Sequence, residues 1–222
     1  MKVPLPHAKQ EVRVLADWVT ASLREAILNG YFEPGEKLDQ DLIAEELRVS
    51  RTPVREALRR LESEGFIEIR PHHGAFIAEV SPQDIHEVYE VRKLLEAEIV
   101  RQVTPLIPES VLNNLEKSLD ETQAQLEAGD SSKHFENDVL FHETITKFAE
   151  NKLLKEVLES LTNRISIVRR FAQSKPGPHQ VESVKEHRAI LQAMQQRDPE
   201  QAAELMRIHL EKSSSRIQEL AE

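Results

Sequence analysis

The chain has 222 residues and no cysteine, and its 29 Lys+Arg against 39 Asp+Glu give a formal net charge of -10. Without cysteine there is no disulfide framework and no thiolate catalysis, so any metal must be held by nitrogen and oxygen. No stretch has the form of a signal peptide or reaches membrane-spanning length, which suits a cytoplasmic protein, and only six glycines with much Leu, Glu, Gln and Ala predict a mainly α chain.

Residues 1–10 read as a frayed end. Val14, Trp18, Leu23 and Ile27 predict a first helix over about 12–29, stopped at Gly30. Pro34-Gly35 is a turn, followed by a short extended piece to Leu38 that can pair with strands further on. Leu42, Ile43, Ala44 and Leu47 form a short amphipathic helix, and the tight turn Arg48-Val49 leads into the segment Ser50–Leu61. Ser50 is placed as an N-cap whose hydroxyl accepts from first-turn amides. Pro53 is tolerated there because those amides have no intrahelical partner. Val54, Ala57, Leu58 and Leu61 make one apolar face, while Arg51, Arg55, Arg59 and Arg60 fall on the other.

With Arg48, that makes five arginines in thirteen residues, a local reversal of sign. The first 80 residues carry 11 Lys+Arg against 14 Asp+Glu, and the rest carry 18 against 25. Bulk electrostatic binding is therefore excluded in favour of a narrow basic strip. Guanidinium groups can bind guanine edges bidentately, and free first-turn amides can hold a phosphate. Such a helix suits a DNA groove; the plainer account is a solvated basic helix. Two helices joined by a three-to-four-residue turn form a helix-turn-helix. After Gly65, Phe66–Arg70 and Ala75–Val80 read as β-strands joined by Pro71-His72-His73-Gly74, a hairpin placed as a wing.

Ser81-Pro82-Gln83-Asp84 is a helix start, with serine as N-cap, proline at N1 and an acid at N3. A domain boundary placed there gives a DNA-binding domain over 1–80 and an all-α domain over 81–222. Six helices are predicted in the second domain, near 84–103, 109–128, 132–149, 151–173, 179–197 and 199–221. Pro105 and Pro108, Gly129-Asp130, Pro176-Gly177-Pro178 and Asp198-Pro199 punctuate them.

Asp138 and His142 lie one turn apart on a helix face with Phe135, Ile145 and Ala149. His187 falls in the stripe Val184, His187, Leu191, Met194, and His209 in the stripe Ala202, Leu205, His209. Three histidines and a carboxylate from three helices thus converge inside a bundle, where something must satisfy them. A divalent Zn, Ni, Mn or Fe ion suits that donor set; ordinary hydrogen-bonded core histidines are the alternative. Arg92 interrupts the apolar stripe Ile85, Val88, Leu95, Ile99 and needs an anion. Either Glu96, one turn on, supplies it, or Arg92 grips the carboxylate of a small effector. Arg164 is a further candidate on the inner face of the fourth of these helices.

Residues from about 12 to 80 resemble the winged helix-turn-helix head of GntR-type transcriptional regulators. The resemblance rests on Ile27, Gly30, Pro34-Gly35, Leu38, Ala44, Leu47, the run Ser50 to Leu58, Leu61, Gly65 and Gly74. It implies DNA contacts from Ser50, Arg51, Thr52, Arg55, His73 and Gly74. Two positions depart from the pattern: Asp41 stands where many relatives carry an arginine that touches DNA, and Arg48 replaces the usual turn glycine. The all-α domain resembles the FCD type, nearer its shorter six-helix variety. In the metal-binding branch of that type an Asp and a His four apart are followed by one His on each of two later helices. Asp138, His142, His187 and His209 match that pattern.

The resemblance therefore implies a homodimeric regulator, a repressor, on an inverted-repeat DNA operator. A small organic acid bound near a divalent metal would control it. Its rivals are a metal-dependent enzyme using the same four residues, and a regulator with a purely structural metal and no effector. The chain lacks HExxH, a nucleophile elbow and a phosphate loop, which weighs against the enzyme.

Overall fold

A computed structural model of the protein describes residues 8–173 and 179–221. The break expected at Pro176-Gly177-Pro178 lies outside the described residues. So do residues 1–7 of the stretch read as frayed, and helix α1 already begins at Ala8. The chain divides into two compact units, Met1–Glu79 and Val80–Glu222.

The first unit contains α1 (Ala8–Leu28), β1 (Lys37–Leu38), α2 (Gln40–Glu46), α3 (Arg51–Ser63), β2 (Ile67–Arg70) and β3 (Gly74–Ile77). Its sheet has the order β1-β3-β2 and is antiparallel throughout. Leu38 pairs with Ala75, and Arg70 with Gly74. The extended piece ahead of α2 thus joins the wing as a third strand. The apolar face of α3 is buried as the spacing predicts. The phase of α1 differs from expectation: Ala16, Val19, Leu23 and Ile27 are buried, whereas Val14 and Trp18 are 64% and 48% exposed. Small residues at Ala16 and Thr20 mark the true stripe, and a large apolar side chain is a weak guide where one helix flank stays in water.

Turn chemistry fixes both ends of the helix-turn-helix. After α2, Val49 N donates to Ala44 O at 2.9 Å and Arg48 N to Glu45 O at 3.1 Å. This is a Schellman closure, with Arg48 in the left-handed region at φ 54°. After α3 the same closure recurs, Phe66 N donating to Leu61 O at 2.9 Å, with Gly65 at φ 85°.

The second unit is all-α. Its helices are α4 (Pro82–Val103), α5 (Glu109–Glu127), α6 (His134–Lys147), α7 (Lys152–Ser160), α8 (Thr162–Gln173), α9 (His179–Gln195) and α10 (Pro199–Ala221). Among the described residues there are seven helices where the sequence predicts six. The segment 151–173 breaks at Leu161 and Thr162, where Leu161 caps α7 and Ile165 N donates back to Leu161 O at 2.9 Å. Ser81 and Asp84 form the predicted capping box at the start of α4. Asp198 Oδ1 accepts from Gln201 N at 3.0 Å ahead of α10. The last helix, α10, packs along α4 and against α9, while α5 packs on α9 and α6 on α4. The core runs from Ile85 and Ile99 through Leu112, Phe141 and Ile145 to Ile190, Met206 and Leu210. No helix among the described residues is long and apolar enough to cross a membrane.

Candidate nucleic-acid interface and metal centre

In the first unit, Ser50, Arg51, Thr52, Arg55 and Arg59 are all exposed at and beyond the start of α3. Ser50 occupies the N-cap in extended conformation, but its side chain makes no cap hydrogen bond. The expected closure by its hydroxyl is therefore absent, which leaves both the hydroxyl and the first-turn amides open to an external acceptor.

Arg60 does not share the solvent face as expected. It pairs with Asp17 of α1 and with Glu56 at 2.7 Å, and so joins two helices. Arg51 is 77% exposed, yet its Nε lies 2.5 Å from Asp41 Oδ1, and its Nη2 donates to Asp41 Oδ2 at 2.9 Å. Among the described residues no acid pairs with Arg55 or Arg59. At the wing tip His73 is exposed and Gly74 adopts φ 108°, where a Cβ would stand 3.2 Å from Lys37 Cε. Glycine thus allows the hairpin to turn against β1.

In the second unit the structure brings the three predicted histidines together. His187 Nε2 lies 3.2 Å from both His142 Nε2 and His209 Nε2, and His187 and His209 are each 2% exposed. Phe141, one residue before His142, stacks on His187 at 4.2 Å between centroids and so fixes that ring. His142 Nδ1 lies 2.5 Å from Glu96 Oε2, and His209 Nδ1 lies 2.8 Å from Glu186 Oε2. A carboxylate only accepts, so each Nδ1 carries the hydrogen and each Nε2 turns a lone pair to the centre.

The charges agree with that assignment. Burial drives His142 down to about 4, past the opposing pull of Glu96. Burial and the two neighbouring imidazoles hold His187 well below the usual histidine range. Burial works to raise Glu96, but Arg92 and His142 prevail and keep it ionised. Burial likewise works against Glu186, and Arg216 and His209 hold it at about 2.

Asp138 stands at the edge of the group. Its Oδ1 is 3.7 Å from His187 Nε2 and its Oδ2 is 3.0 Å from Arg169 Nε. Burial would raise its pKa, but Arg169 and the histidines hold it far below the usual carboxylate range.

His142 and His209 both turn lone pairs to His187 Nε2, 3.2 Å away, and a neutral His187 has at most one hydrogen there, so it can satisfy only one of them, whereas a cation among the three satisfies all. Imidazole nitrogens on a tetrahedral ion, each roughly 2.0–2.1 Å from it, are separated by roughly 3.3 Å. The three histidines therefore fit a divalent metal, with carboxylates behind two of them as ligating imidazoles require. Asp138 supplies an oxygen beside the group.

Arg92 is 1% exposed, and its Nε donates to Glu96 Oε1 at 2.6 Å. Glu96 is thus the anion that the sequence offered for it. The Arg92 guanidinium also lies 4.6 Å from the Tyr89 ring, and its buried Nη2 has no hydrogen-bond partner among the described residues. Arg164 departs from expectation, for it is exposed. It lies about a quarter turn round α8 from the stripe Ile165, Val168, Ala172. Arg169, on the opposite flank of that stripe, is buried and takes the inner place. Its Nε, though close to Asp138, is out of line for a hydrogen bond and has no other hydrogen-bond partner among the described residues. A cavity of about 330 Å³ reaches Glu96, His142, Ser166 and Arg169. A smaller one, of about 50 Å³, reaches Tyr89, Asp138, Arg169 and Arg216. Arg169, Glu186 and Arg216 were missed in the sequence. The first lies beside an apolar stripe rather than in it, on the flank opposite Arg164, and the other two show only as neighbours of buried histidines.

Residues 15–77 match the bacterial regulatory proteins of the gntR family, and residues 87–212 match the FCD domain. The HTH-type transcriptional regulator YdhC of Bacillus subtilis is 30% identical over 202 residues, which cover 90% of this chain and 89% of that one. The HTH-type transcriptional repressor RspR of Escherichia coli K12 is 28% identical, over 89% of this chain and 86% of its own. Among solved structures, a GntR transcriptional regulator from Rhodococcus sp. RHA1 superposes with TM-score 0.76 at 25% identity, covering 91% and 96% of the two chains.

Proposed function

The chain belongs to the gntR family of transcriptional regulators and carries an FCD domain, and from that premise we propose a repressor controlled by a small carboxylate effector beside a divalent metal. As a homodimer it would bind an inverted-repeat operator, since one small head offers too little surface for specific binding and two-fold proteins select two-fold sites. Ser50, Arg51, Thr52 and Arg55 would meet the duplex from α3, with His73 and Gly74 meeting it from the wing. Among its relatives, RspR is named a repressor. The relatives are regulators rather than enzymes, which removes the catalytic rival for the histidine group.

The observation that carries the effector reading is the convergence of three histidine Nε2 atoms at 3.2 Å, two of them backed by carboxylates. His142, His187 and His209 would hold a Zn, Ni, Mn or Fe ion, with Asp138 as an oxygen donor. When bound, the ion supplies a Lewis-acidic position for a carboxylate or hydroxyl oxygen. The chain's own groups do the rest. Glu96 and Glu186 fix the imidazole tautomers. Arg92 Nη2 and Arg169 Nε, both buried and without a hydrogen-bond partner among the described residues, offer N–H groups to a carboxylate in low dielectric, where charge-assisted bonds are strong. Arg164, exposed, takes no part.

Native mass spectrometry of gently purified protein tests this reading in one measurement. Dimer mass, a metal ion and a carried-over acid are expected together. A stoichiometric metal with no small acid altering operator affinity would instead favour a structural ion.

A further inference from the structure

The ion pair of Asp41 and Arg51 has a geometry that the DNA-binding reading above does not yet use. We propose that Asp41 is a positioning residue for sequence readout: it fixes the Arg51 guanidinium so that the remaining edge selects guanine and is kept from phosphate. The inference rests on that DNA-binding reading.

The local sequence sets up the pair. Asp39 caps α2, accepting from Asp41 N at 2.8 Å and Leu42 N at 3.3 Å, and those backbone bonds hold its carboxyl below the usual range. With the cap supplied by Asp39, the carboxylate of Asp41 is left free to reach the first residue of α3 across the turn. It stands against the Nε and Nη2 edge of Arg51, Nη2 donating to Oδ2 at 2.9 Å and Nε lying 2.5 Å from Oδ1. A guanidinium carries five N–H donors in a rigid fork. Occupying that side edge leaves the end-on pair, one hydrogen from each Nη, and this pair matches guanine O6 and N7.

An unpaired arginine at this place would be less selective. Any of its edges can bind a phosphate, and the dense backbone charge favours that sequence-blind contact. Arg55 and Arg59 have no acid partner among the described residues and keep that freedom. Asp41 removes it from Arg51 in two ways, by ordering the long side chain and by placing a negative charge where a phosphate would approach. An exposed ion pair adds little to stability, so the consequence of this one lies in discrimination, which rises while overall affinity falls.

The test uses full-length protein and a randomised duplex library. The wild type should enrich a half-site containing a guanine that the Arg51→Ala protein no longer selects. Replacing that guanine should weaken wild-type binding about tenfold, within the range for one bidentate contact. With Asp41→Ala the same replacement should cost less than about threefold, while affinity for random duplex rises and its salt dependence steepens by about one ion. Asp41→Asn, with one acceptor instead of two, should behave like Asp41→Ala. The double variant should be no less selective than Arg51→Ala alone. Thermal melting of each protein guards against unfolding.

An Asp41→Ala protein that keeps the full guanine penalty, binding all duplexes tighter by one common factor, would show simple repulsion and overturn the proposal. Failure of the wild type to enrich any duplex would overturn the DNA-binding reading itself.

Discussion

Arg48 sits in a left-handed turn at φ 54°, a conformation that disfavours any residue with a Cβ. Arg48→Gly should therefore raise the stability of the first unit by up to about 1 kcal/mol, read as a higher melting temperature. Unchanged or lower stability would mean that the arginine makes compensating contacts. The sequence flagged this position, because glycine is the residue a closure of that kind prefers.

The same scale separates the arginines of α3. Arg55→Ala should cost specific operator binding on the order of 1–3 kcal/mol. Arg59→Ala should cost less and act alike on operator and random duplex, as a phosphate contact does. Equal losses on both duplexes for both variants would reverse the assignment. Arg60 shows the limit of reading a face from spacing. Its partner Asp17 lies 43 residues away in sequence, and nothing local announces it.

At the scale of the element, legibility followed the helix phase. Where one regular helix carried the motif, as with Asp138 and His142 or with His187 in its stripe, the sequence placed the side chains on the inner face. It went wrong at the flanks of a stripe, where packing decides which side is covered: Val14 and Trp18 of α1 stay exposed, and so does Arg164. The stripe Leu158, Leu161, Ile165, Val168 and Ala172 keeps its phase across the break at Leu161; Arg164 and Arg169 lie on its two flanks, and of these only Arg169 is buried. Glu96 was legible only as a partner for Arg92, because its second role beneath His142 depends on α4 packing against α6.

That packing predicts a pH response. In the metal-free protein His142 is held near 4 instead of 6.5. Between those values the unfolded chain binds a proton that the folded chain refuses. Stability is then at its full value above about pH 6.5 and declines as the pH falls toward 4; His142 alone makes the chelator-treated protein roughly 2 kcal/mol less stable at pH 5 than at pH 7, and His187, lowered too, adds to the loss. Glu186, at about 2 against an ordinary 4.5, extends the decline below pH 4.5. Urea unfolding at the two pH values checks it; equal midpoints would mean that a protonated His142 is tolerated in the fold.

At the scale of the molecule, effector binding would shift a dimer between states of different operator affinity. A hundredfold shift needs roughly 2.7 kcal/mol of differential binding. Arg92→Ala should keep the metal, since the three Nε2 atoms come from α6, α9 and α10, but should lose the effector response. His187→Ala should lose both, leaving effector-free operator binding largely intact. Metal content and operator affinity, measured on both variants, separate these outcomes. A joint fall in melting temperature and operator affinity for His187→Ala would point to a structural ion.

The packing of α10 along α4 joins residues as far apart in sequence as Lys93 and Glu211, whose side chains meet at 2.8 Å. Translation delivers them in that order, N-terminus first. The DNA-reading unit is finished with its last strand, but α4 emerges with an apolar flank that only the final helix covers. A chain ending before Pro199 would therefore carry a finished first unit beside a second unit whose longest seam is left open to chaperones and proteases.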